Sequence, residues 1–276
     1  MESLDRRQTD WGGHVALVHD SERQRRIGVA DWVRCGLDQG AKVLYIEPED
    51  APPERSLLGV LEEHALRVEE ALADGRLEIF TASDEVYSPT WQEGVTDEAL
   101  AVGYPSVRWS GEERTAWSVM SPARHTEIEW ETDLLCDTRP VSIMCQYSAH
   151  LPQAALETVC AVHGAGVRDS QLQALPTPDG LALAGSADAA NHRLLRSTLV
   201  ARAATAAADG GRIVVDLGEL EFLDVAGARA LWTGTTAHRM RGGTVRLTRP
   251  LPRVDRMLRL LGVQQAPGFE MGDAIE

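Results

Sequence analysis

The sequence predicts an α/β protein whose parallel sheet carries helices on both faces. Three observations support this prediction. Short, β-branched apolar segments alternate with segments of helical periodicity along residues 14–162. One of these segments, residues 141–147, is apolar almost throughout, as expected for a central strand buried on both faces. Residues 212–240 repeat the order of strand, tight loop and helix in the last third of the chain.

The elements of the first part follow from apolar patterns and breaker residues. Strands are predicted at residues 14–19, 42–47, 76–80, 106–109 and 141–147. Helices are predicted between them, at residues 21–37, 57–72, 92–103, 128–135 and 152–162. Ser21 and Gln24 have the spacing of a capping box, which places the start of the first helix, and Gly40 ends it.

Composition places the chain among globular proteins with one or two domains. Its 276 residues are 43% hydrophobic, and no apolar run is long enough to span a bilayer. Residues 1–11 are charged and lack the apolar core of a signal peptide. The four cysteines form no CxxC pair, which favours a reducing compartment. We therefore expect a cytoplasmic protein with no membrane partner.

The negative charge of the chain is unevenly distributed. The formal net charge is −15, yet the residues from Leu172 onward carry 12 arginines against 11 acidic residues. The preceding part therefore carries 15 basic and 31 acidic residues, a net −16. Such an acidic surface disfavours general nucleic-acid binding, which depends on neutralising phosphates.

The loop at residues 222–227 reads Phe-Leu-Asp-Val-Ala-Gly, and Asp224 stands where the following helix should begin, as an N-cap does. This loop resembles the F-x-D-[ST]-[ST]-G loop of the STAS domain, the fold of anti-sigma-factor antagonists. Residues 181–188 and 242–249 and a closing helix at 254–261 extend the resemblance. It implies a STAS α/β domain over residues 179–266.

The STAS resemblance also implies a partner, an anti-sigma factor of the serine-kinase type. The residues that it implies for partner binding are Asp224, Val225, Ala226, Gly227, Arg229 and Thr233. In the family, the kinase phosphorylates a serine just before the glycine; this chain has Ala226 there, and alanine has no oxygen to accept the group. Helical spacing predicts that Trp232 faces the core, together with Ala228, Leu231 and Thr235.

The first part lacks the loop with which many nucleotide-binding sheets hold phosphate. That loop needs glycines for close backbone approach and a lysine for the phosphates. Residues 20–26, after the first strand, contain neither, and the only lysine of the chain, Lys42, begins the second strand. An ATPase of the P-loop kind is therefore not expected.

A second resemblance rests on residues 14–20, 36–46, 107–117, 130–131 and 144–147. Their order is similar to that of the MEDS family, a sensory domain of methanogens and methylotrophs related to RecA-like ATPases that lost the phosphate loop. This resemblance implies a RecA-like sensory domain over residues 11–168, with a linker at 169–178. One departure is His19, where the family commonly has a tyrosine.

Ligands of open α/β sheets bind beyond the carboxyl ends of the strands. The residues expected to bind a small-molecule ligand are His19, Asp20, Glu47, Glu112, Trp117, Glu131, Gln146 and Tyr147. Alternatively, the tryptophans of this region belong to the core and its glutamates are solvated. His14 lies at the opposite end of its strand and is expected to be structural. No two metal-ligating residues show zinc-site spacing, so we expect no metal, no cofactor and no catalytic residue.

These observations predict a signalling regulator that acts by binding a partner protein under the control of a ligand. Two alternatives stay open. One is a nucleotide-binding or nucleotide-hydrolysing RecA-like enzyme, which a nucleotide titration would distinguish. The other is a scaffold protein within a larger STAS assembly. A homo-oligomer is possible under each of these interpretations.

Overall fold

The computed structural model describes residues 12–206 and 211–272. Two expectations, the absence of a signal peptide in residues 1–11 and a domain start at residue 11, lie outside the described residues. The chain divides into two compact units. The first unit contains the residues up to Ser148 together with Val162–Ala165, and the second contains Ala149–Ala161 and the residues from Gly166 onward.

The first unit is a five-stranded parallel sheet with the order β1-β5-β4-β2-β3. Its strands are β1 (His14–His19), β2 (Lys42–Glu47), β3 (Leu77–Thr81), β4 (Val107–Glu112) and β5 (Val141–Ser148). Its helices are α1 (Glu22–Asp38), α2 (Leu57–Glu63), α3 (Glu69–Ala73), α4 (Pro89–Ala101), α5 (Glu113–Val119) and α6 (Pro122–Thr138).

Two hydrophobic clusters flank this sheet. One joins α1, α2 and α3 to the sheet through residues such as Trp32, Leu57 and Val43. The other joins α4 and α6 to the sheet through residues such as Trp109 and Ile128. The predicted α/β class, with a mostly parallel sheet and helices, is therefore confirmed.

The connection from β1 to α1 is only two residues long. Ser21 caps α1, with its hydroxyl accepting a hydrogen bond from the backbone N–H of Gln24. The side chain of Gln24 in turn accepts one from the backbone N–H of Asp20. The capping interaction predicted from the sequence is thus present, with the reciprocal bond shifted by one residue.

Two details of the first unit differ from the predictions. The helix predicted at residues 57–72 is two helices, α2 and α3, because Ala65 has a positive φ of 55° and the backbone turns there. Helix α5 was not predicted; it begins directly after β4 and has too little apolar periodicity to be recognised in seven residues.

The second unit contains six strands in the order β11-β10-β9-β8-β7-β6. The strands are β6 (Gly166–Arg168), β7 (Leu172–Thr177), β8 (Gly180–Ala187), β9 (Arg212–Leu223), β10 (Thr244–Thr248) and β11 (Phe269–Met271). The helices are α7 (Gln153–Val162, whose last residue belongs to the first unit), α8 (His192–Thr205), α9 (Val225–Gly234), α10 (Thr236–Met240) and α11 (Pro252–Leu260).

The segment predicted as a linker, residues 169–178, is not a structureless connection. It contains β7, which pairs antiparallel with β6 and with the whole length of β8 up to Gly185. Its two prolines, Pro176 and Pro178, suggested a linker, but prolines are also compatible with the end of a strand. The domain boundaries themselves stay a prediction.

The predicted order of strand, loop and helix is present at β9 and α9. Asp224 is the N-cap of α9, and its Oδ1 accepts a hydrogen bond of 2.8 Å from the backbone N–H of Gly227. Strand β9 is longer than predicted and continues to Leu223. The predicted long helix is split at Thr235, whose hydroxyl donates to the carbonyl of Leu231.

No helix within residues 12–206 and 211–272 combines the length and apolar character needed to cross a bilayer.

Gly227 allows α9 to approach β8 closely. A Cβ at this position would lie 2.5 Å from the carbonyl oxygen of Ala187, which belongs to the backbone and cannot move aside. We predict that Gly227→Ala lowers the free energy of unfolding by about 1–3 kcal/mol, the usual cost of overpacking. Urea unfolding followed by circular dichroism measures the change.

The matched control is Gly94→Ala in α4, where a new Cβ meets nothing within 4 Å. Alanine is the better helix former, so this variant should be as stable as the wild type or more stable. Equal stability of Gly227→Ala and the wild type would contradict the close approach.

Candidate functional site

A buried arginine lies at the carboxyl ends of β1, β2 and β5. Arg25, in the first turn of α1, is 1% exposed. Its Nη1 donates to the amide oxygen of Gln146 at 3.1 Å and to the hydroxyl of Tyr45 at 3.2 Å. Its Nη2 donates to Glu22 and to the backbone carbonyl of Arg55. The guanidinium therefore fills the space beside the β1–α1 turn and binds two strands together.

Gln146 and Glu112, two of the predicted ligand residues, lie with Arg25 in a layer of buried polar side chains, which we call the polar layer. The Nε2 of Gln146 donates to the hydroxyls of Ser110 and Tyr45, so this fully buried amide is already satisfied by protein groups. Both oxygens of Glu112 accept from Arg55 at 2.7 Å. The structure thus uses these two residues to order the layer.

His19 and Glu113 are the least satisfied members of this layer. One metal-ligating atom each from His19, Glu112 and Glu113 lies within 4.8 Å of the others. Burial lowers the pKa of His19 to about 4, so the ring is neutral near pH 7. Burial raises the pKa of Glu113 to about 7, although the N–H of Ser148 donates to this carboxyl group. His19 Nε2 and Glu113 Oε2 have no hydrogen-bond partner within the described residues.

A small cavity lies between this layer and α6. Its volume is about 30 Å³, which leaves room for little more than water. Glu112, Glu113 and Tyr87 line it on one side, and His125 and Glu129 on the other. The hydroxyl of Tyr87, like Glu113 Oε2, is buried without a hydrogen-bond partner among the residues described. Two such atoms at one cavity can hydrogen-bond to a small polar molecule that enters it.

Of the eight predicted ligand residues, Glu112 lines this cavity and the other seven do not. Asp20 and Glu131 are exposed, and Trp117 packs beside the second hydrophobic cluster. Glu47 accepts a hydrogen bond of 2.7 Å from the backbone N–H of Leu57, at the start of α2, and burial raises its pKa. Tyr147 is buried against the ring of His163. The structure therefore brings together His19, Glu112 and Gln146, but not the other five.

The sequence did not predict a second buried polar cluster in the first unit. Glu129, on α6, is buried among three imidazoles. Its Oε2 lies 2.9 Å from Nε2 of His14 and 3.3 Å from Nε2 of His163, and its Oε1 lies 3.0 Å from Nε2 of His125. His125 and Glu129 are one turn apart on α6, but His14 and His163 come from distant parts of the chain, so local spacing could not reveal the whole group.

His14 is the central cation of this group. Burial alone would lower its pKa, but hydrogen bonds to Asp133 and Glu129 outweigh burial and raise the pKa to about 9. The pKa of Glu129 is held well below its usual range; burial opposes this, and the hydrogen bonds from His125, His14 and His163 produce it. His14 is thus involved in structure, as expected, but as part of a polar cluster.

Lys42 is not available for phosphate binding in this structure. Its ammonium group forms an ion pair with Glu78 and lies 5.5 Å from the ring centroid of Tyr104. It stands at the amino end of β2, opposite the carboxyl ends where Arg25 lies. The two-residue turn between β1 and α1 is also too short for a phosphate loop of the usual kind.

The second unit carries an open groove of about 430 Å³ beside α9. It is lined by Val225, Ala228, Arg229, Trp232, Thr233, Leu261 and Val263. Trp232 was predicted to face the core; instead it is 38% exposed, because its ring lies at the rim against Phe269 and Arg239. The exposed apolar side chains beside α9 form a surface that the described part of the chain leaves open.

Three of the predicted partner-binding residues, Val225, Arg229 and Thr233, line this groove and are exposed. Ala226 is half-buried in the first turn of α9. Asp224 and Gly227 instead form the helix start: Asp224 also accepts a hydrogen bond from the backbone N–H of Ala189 at 3.1 Å. The structure thus separates residues that build the loop from residues that are open to a partner.

Comparison with known families identifies both parts of the chain. Residues 13–164 match the family model described as the methanogen/methylotroph, DcmR sensory domain (MEDS). The chain belongs to the MEDS family. Residues 170–271 match a second model, described as Mlab, STAS domain. Among curated proteins, no match to the chain is significant.

The match confirms the predicted fusion of a MEDS domain with a STAS domain. A sensory domain joined to a STAS domain supports a role in signalling. STAS domains are typically regulators rather than enzymes.

The raised pKa of Glu113 predicts that the stability of the folded chain depends on pH. The carboxyl group binds a proton more tightly in the folded chain than in the unfolded one, where its pKa is near 4.5. The stability contributed by the protonated group is therefore complete below pH 4.5 and is lost as the pH rises toward 7. We predict that Glu113→Gln, which mimics the protonated form, is more stable than the wild type at pH 8, by about 3 kcal/mol at most.

This difference should shrink to near zero at about pH 4. Denaturant unfolding of both proteins from pH 4 to 8 measures it. The control is Glu131→Gln, an exposed glutamate on α6, which should follow the wild type at every pH. A gain of stability in Glu113→Gln that does not depend on pH would argue against a buried titrating carboxyl group.

Proposed function

We propose that the chain is a ligand-regulated signalling protein whose STAS domain binds an anti-sigma factor of the serine-kinase type. The observation that carries this proposal is the groove beside α9. Three of its lining residues are ones that the STAS loop resemblance assigned to partner binding, and the exposed apolar groups there are suited to a protein partner.

The groove has the composition of a protein-binding surface. Val225 is 59% exposed at its entrance, and Trp232 offers an aromatic side chain of the type that dominates binding energies at interfaces. Arg229 adds an exposed positive charge at the same place. Because the STAS part is nearly neutral overall, it does not repel an acidic partner as the first part would.

Ala226 sets this STAS domain apart from those that a kinase switches off. It occupies the second position of α9, where the amino end of the helix would tolerate a phosphate, yet its methyl group cannot receive one. In our proposal the kinase-like partner therefore binds this loop without modifying that position. Regulation then depends on the MEDS domain instead.

For the MEDS domain we propose binding of a small polar ligand in the cavity beside Glu113. The support is the presence of two unpaired polar atoms, on Tyr87 and Glu113, at a cavity of about 30 Å³. This size admits a molecule of very few heavy atoms. The ligand would donate a hydrogen bond to the carboxylate of Glu113.

A catalytic nucleotide site has less support. Arg25 occupies the space beside the β1–α1 turn, and Lys42 is paired with Glu78. Nucleotide hydrolysis would need another phosphate site in the first unit. A scaffold role is compatible with the groove.

The partner surface can be tested with Val225→Asp. An acidic residue at the first position of a helix is well tolerated, so the fold should survive, whereas the apolar entrance of the groove is lost. We predict that the affinity for an anti-sigma kinase encoded in the same genome falls at least about tenfold. Isothermal titration of each purified kinase against the full chain measures this affinity.

Met240→Asp is the matched control, because Met240 is an apolar residue on α10 that is 82% exposed and does not line the groove. It should bind as the wild type does. If no such kinase binds the wild type, the partner class is wrong. If one binds all three proteins equally, the contact surface lies elsewhere.

The ligand cavity can be tested with Gly111→Ala. The new Cβ would lie 3.3 Å from the hydroxyl of Tyr87 and would reduce the cavity. We predict that at least one small alcohol or amine raises the Tm of the wild-type chain and that Gly111→Ala abolishes the rise. The control is Gly94→Ala, at an exposed helical position, which should keep the response. If no compound of the series raises the Tm of the wild type, the proposed ligand class is wrong.

A further inference from the structure

Four side chains with metal-ligating atoms converge inside the first unit, next to the ligand cavity, which Glu129 and Cys145 also line. They are His14 on β1, Glu129 on α6, Cys145 on β5, and His163, which follows α7. One ligating atom of each lies within 4.8 Å of the other three. Both imidazoles and Glu129 are buried, and Cys145 is a free, half-buried thiol.

Two of the three measured distances between ligating atoms of this cluster equal the edges of a tetrahedral metal site, and the third is shorter. Zn–N, Zn–O and Zn–S bonds of ordinary length place neighbouring ligand atoms about 3.3–3.7 Å apart. Cys145 Sγ lies 3.5 Å from His14 Nε2, and His163 Nε2 lies 3.3 Å from Glu129 Oε2. The remaining measured edge, from His14 Nε2 to Glu129 Oε2, is 2.9 Å and needs only a small expansion.

The groups around the cluster have the arrangement that usually supports metal ligands. The second ring nitrogen of His14 faces Asp133 Oδ1 at 3.4 Å, which would fix the tautomer that leaves Nε2 free for a metal. Asp133 is itself fixed by the backbone N–H of Gly164, at 2.9 Å. The second oxygen of Glu129 is held by His125 at 3.0 Å. Outer partners of this kind orient ligating imidazoles and carboxylates.

The charges also suit a divalent ion. A thiolate and a carboxylate bring two negative charges, and two neutral imidazoles complete the set, so an M²⁺ ion would leave the four ligands and the metal neutral. Buried charge is costly unless it is compensated in this way. Two nitrogens, one oxygen and one sulfur in a closed set are typical of zinc and of its spectroscopic substitute Co²⁺.

We propose that His14, Glu129, Cys145 and His163 bind one Zn²⁺ ion, or a chemically similar transition-metal ion, inside the MEDS domain. On binding, Cys145 loses its thiol proton and His14 loses the proton on Nε2, both to solvent; the sulfur then coordinates the metal as a thiolate and His14 coordinates it through Nε2 of the neutral ring. The ion would join β1, β5, α6 and the residue after α7.

The test uses the full chain without a histidine tag, stripped of metal with a chelator and titrated with Zn²⁺ and Co²⁺. We expect one equivalent to bind, with a higher Tm and, for Co²⁺, thiolate-to-metal absorption in the near ultraviolet. Cys145→Ser should lose this absorption, and both Cys145→Ser and His163→Gln should bind Zn²⁺ at least about tenfold more weakly. Cys35→Ser, a half-buried cysteine of α1 outside the cluster, is the control and should behave as the wild type.

Three outcomes would overturn the proposal. In the first outcome, the wild-type chain would bind neither ion, which would mean that the four residues form only a hydrogen-bonded cluster. Co²⁺ binds without thiolate absorption, which would place the ion at another group, such as His19 with Glu112 and Glu113. In the third outcome, Cys145→Ser and His163→Gln would bind Zn²⁺ as tightly as the wild type does. Since the first two outcomes are measured on the wild type, the test stands even if a variant fails to fold.

Discussion

The first unit depends on the burial of one carboxylate. Glu129 is almost completely removed from water, and an ionised carboxylate in such a place is tolerated only when partners compensate its charge. The compensation comes from imidazoles on β1, on the same helix one turn earlier, and after α7. This requirement fixes how α6 packs on the sheet, because sliding the helix by one turn would leave the charge uncompensated.

The strands of both units could be predicted because continuous apolar segments between glycines leave few alternatives. The N-cap roles of Ser21 and Asp224 were equally clear, since both depend on neighbours three residues away. The break at Ala65 was not predictable, because the apolar pattern continues across it. The prediction that Trp232 faces the core was wrong for a related reason. Helical spacing shows which side of the helix a residue is on, but not whether a neighbouring element covers that side.

The candidate sites were less predictable than the fold. The rule that ligands bind at the carboxyl ends of strands found His19, Glu112 and Gln146, which do lie in one polar layer. The rule could not distinguish a side chain already used by the protein, such as Gln146, from one that is available, such as Glu113. The cluster around Glu129 includes His14, 115 positions earlier in the chain, so only the folded chain brings its members together.

The pairing of Lys42 with Glu78 has a consequence for the chemistry of the surface. Since Lys42 is the only lysine, every other basic side chain is an arginine or a histidine. A guanidinium stays protonated at any pH that a cell reaches. The basic group that Arg229 presents at the groove is therefore a guanidinium and not an amine, so acylation of amines, by which cells remove the charge of lysines, does not act on it.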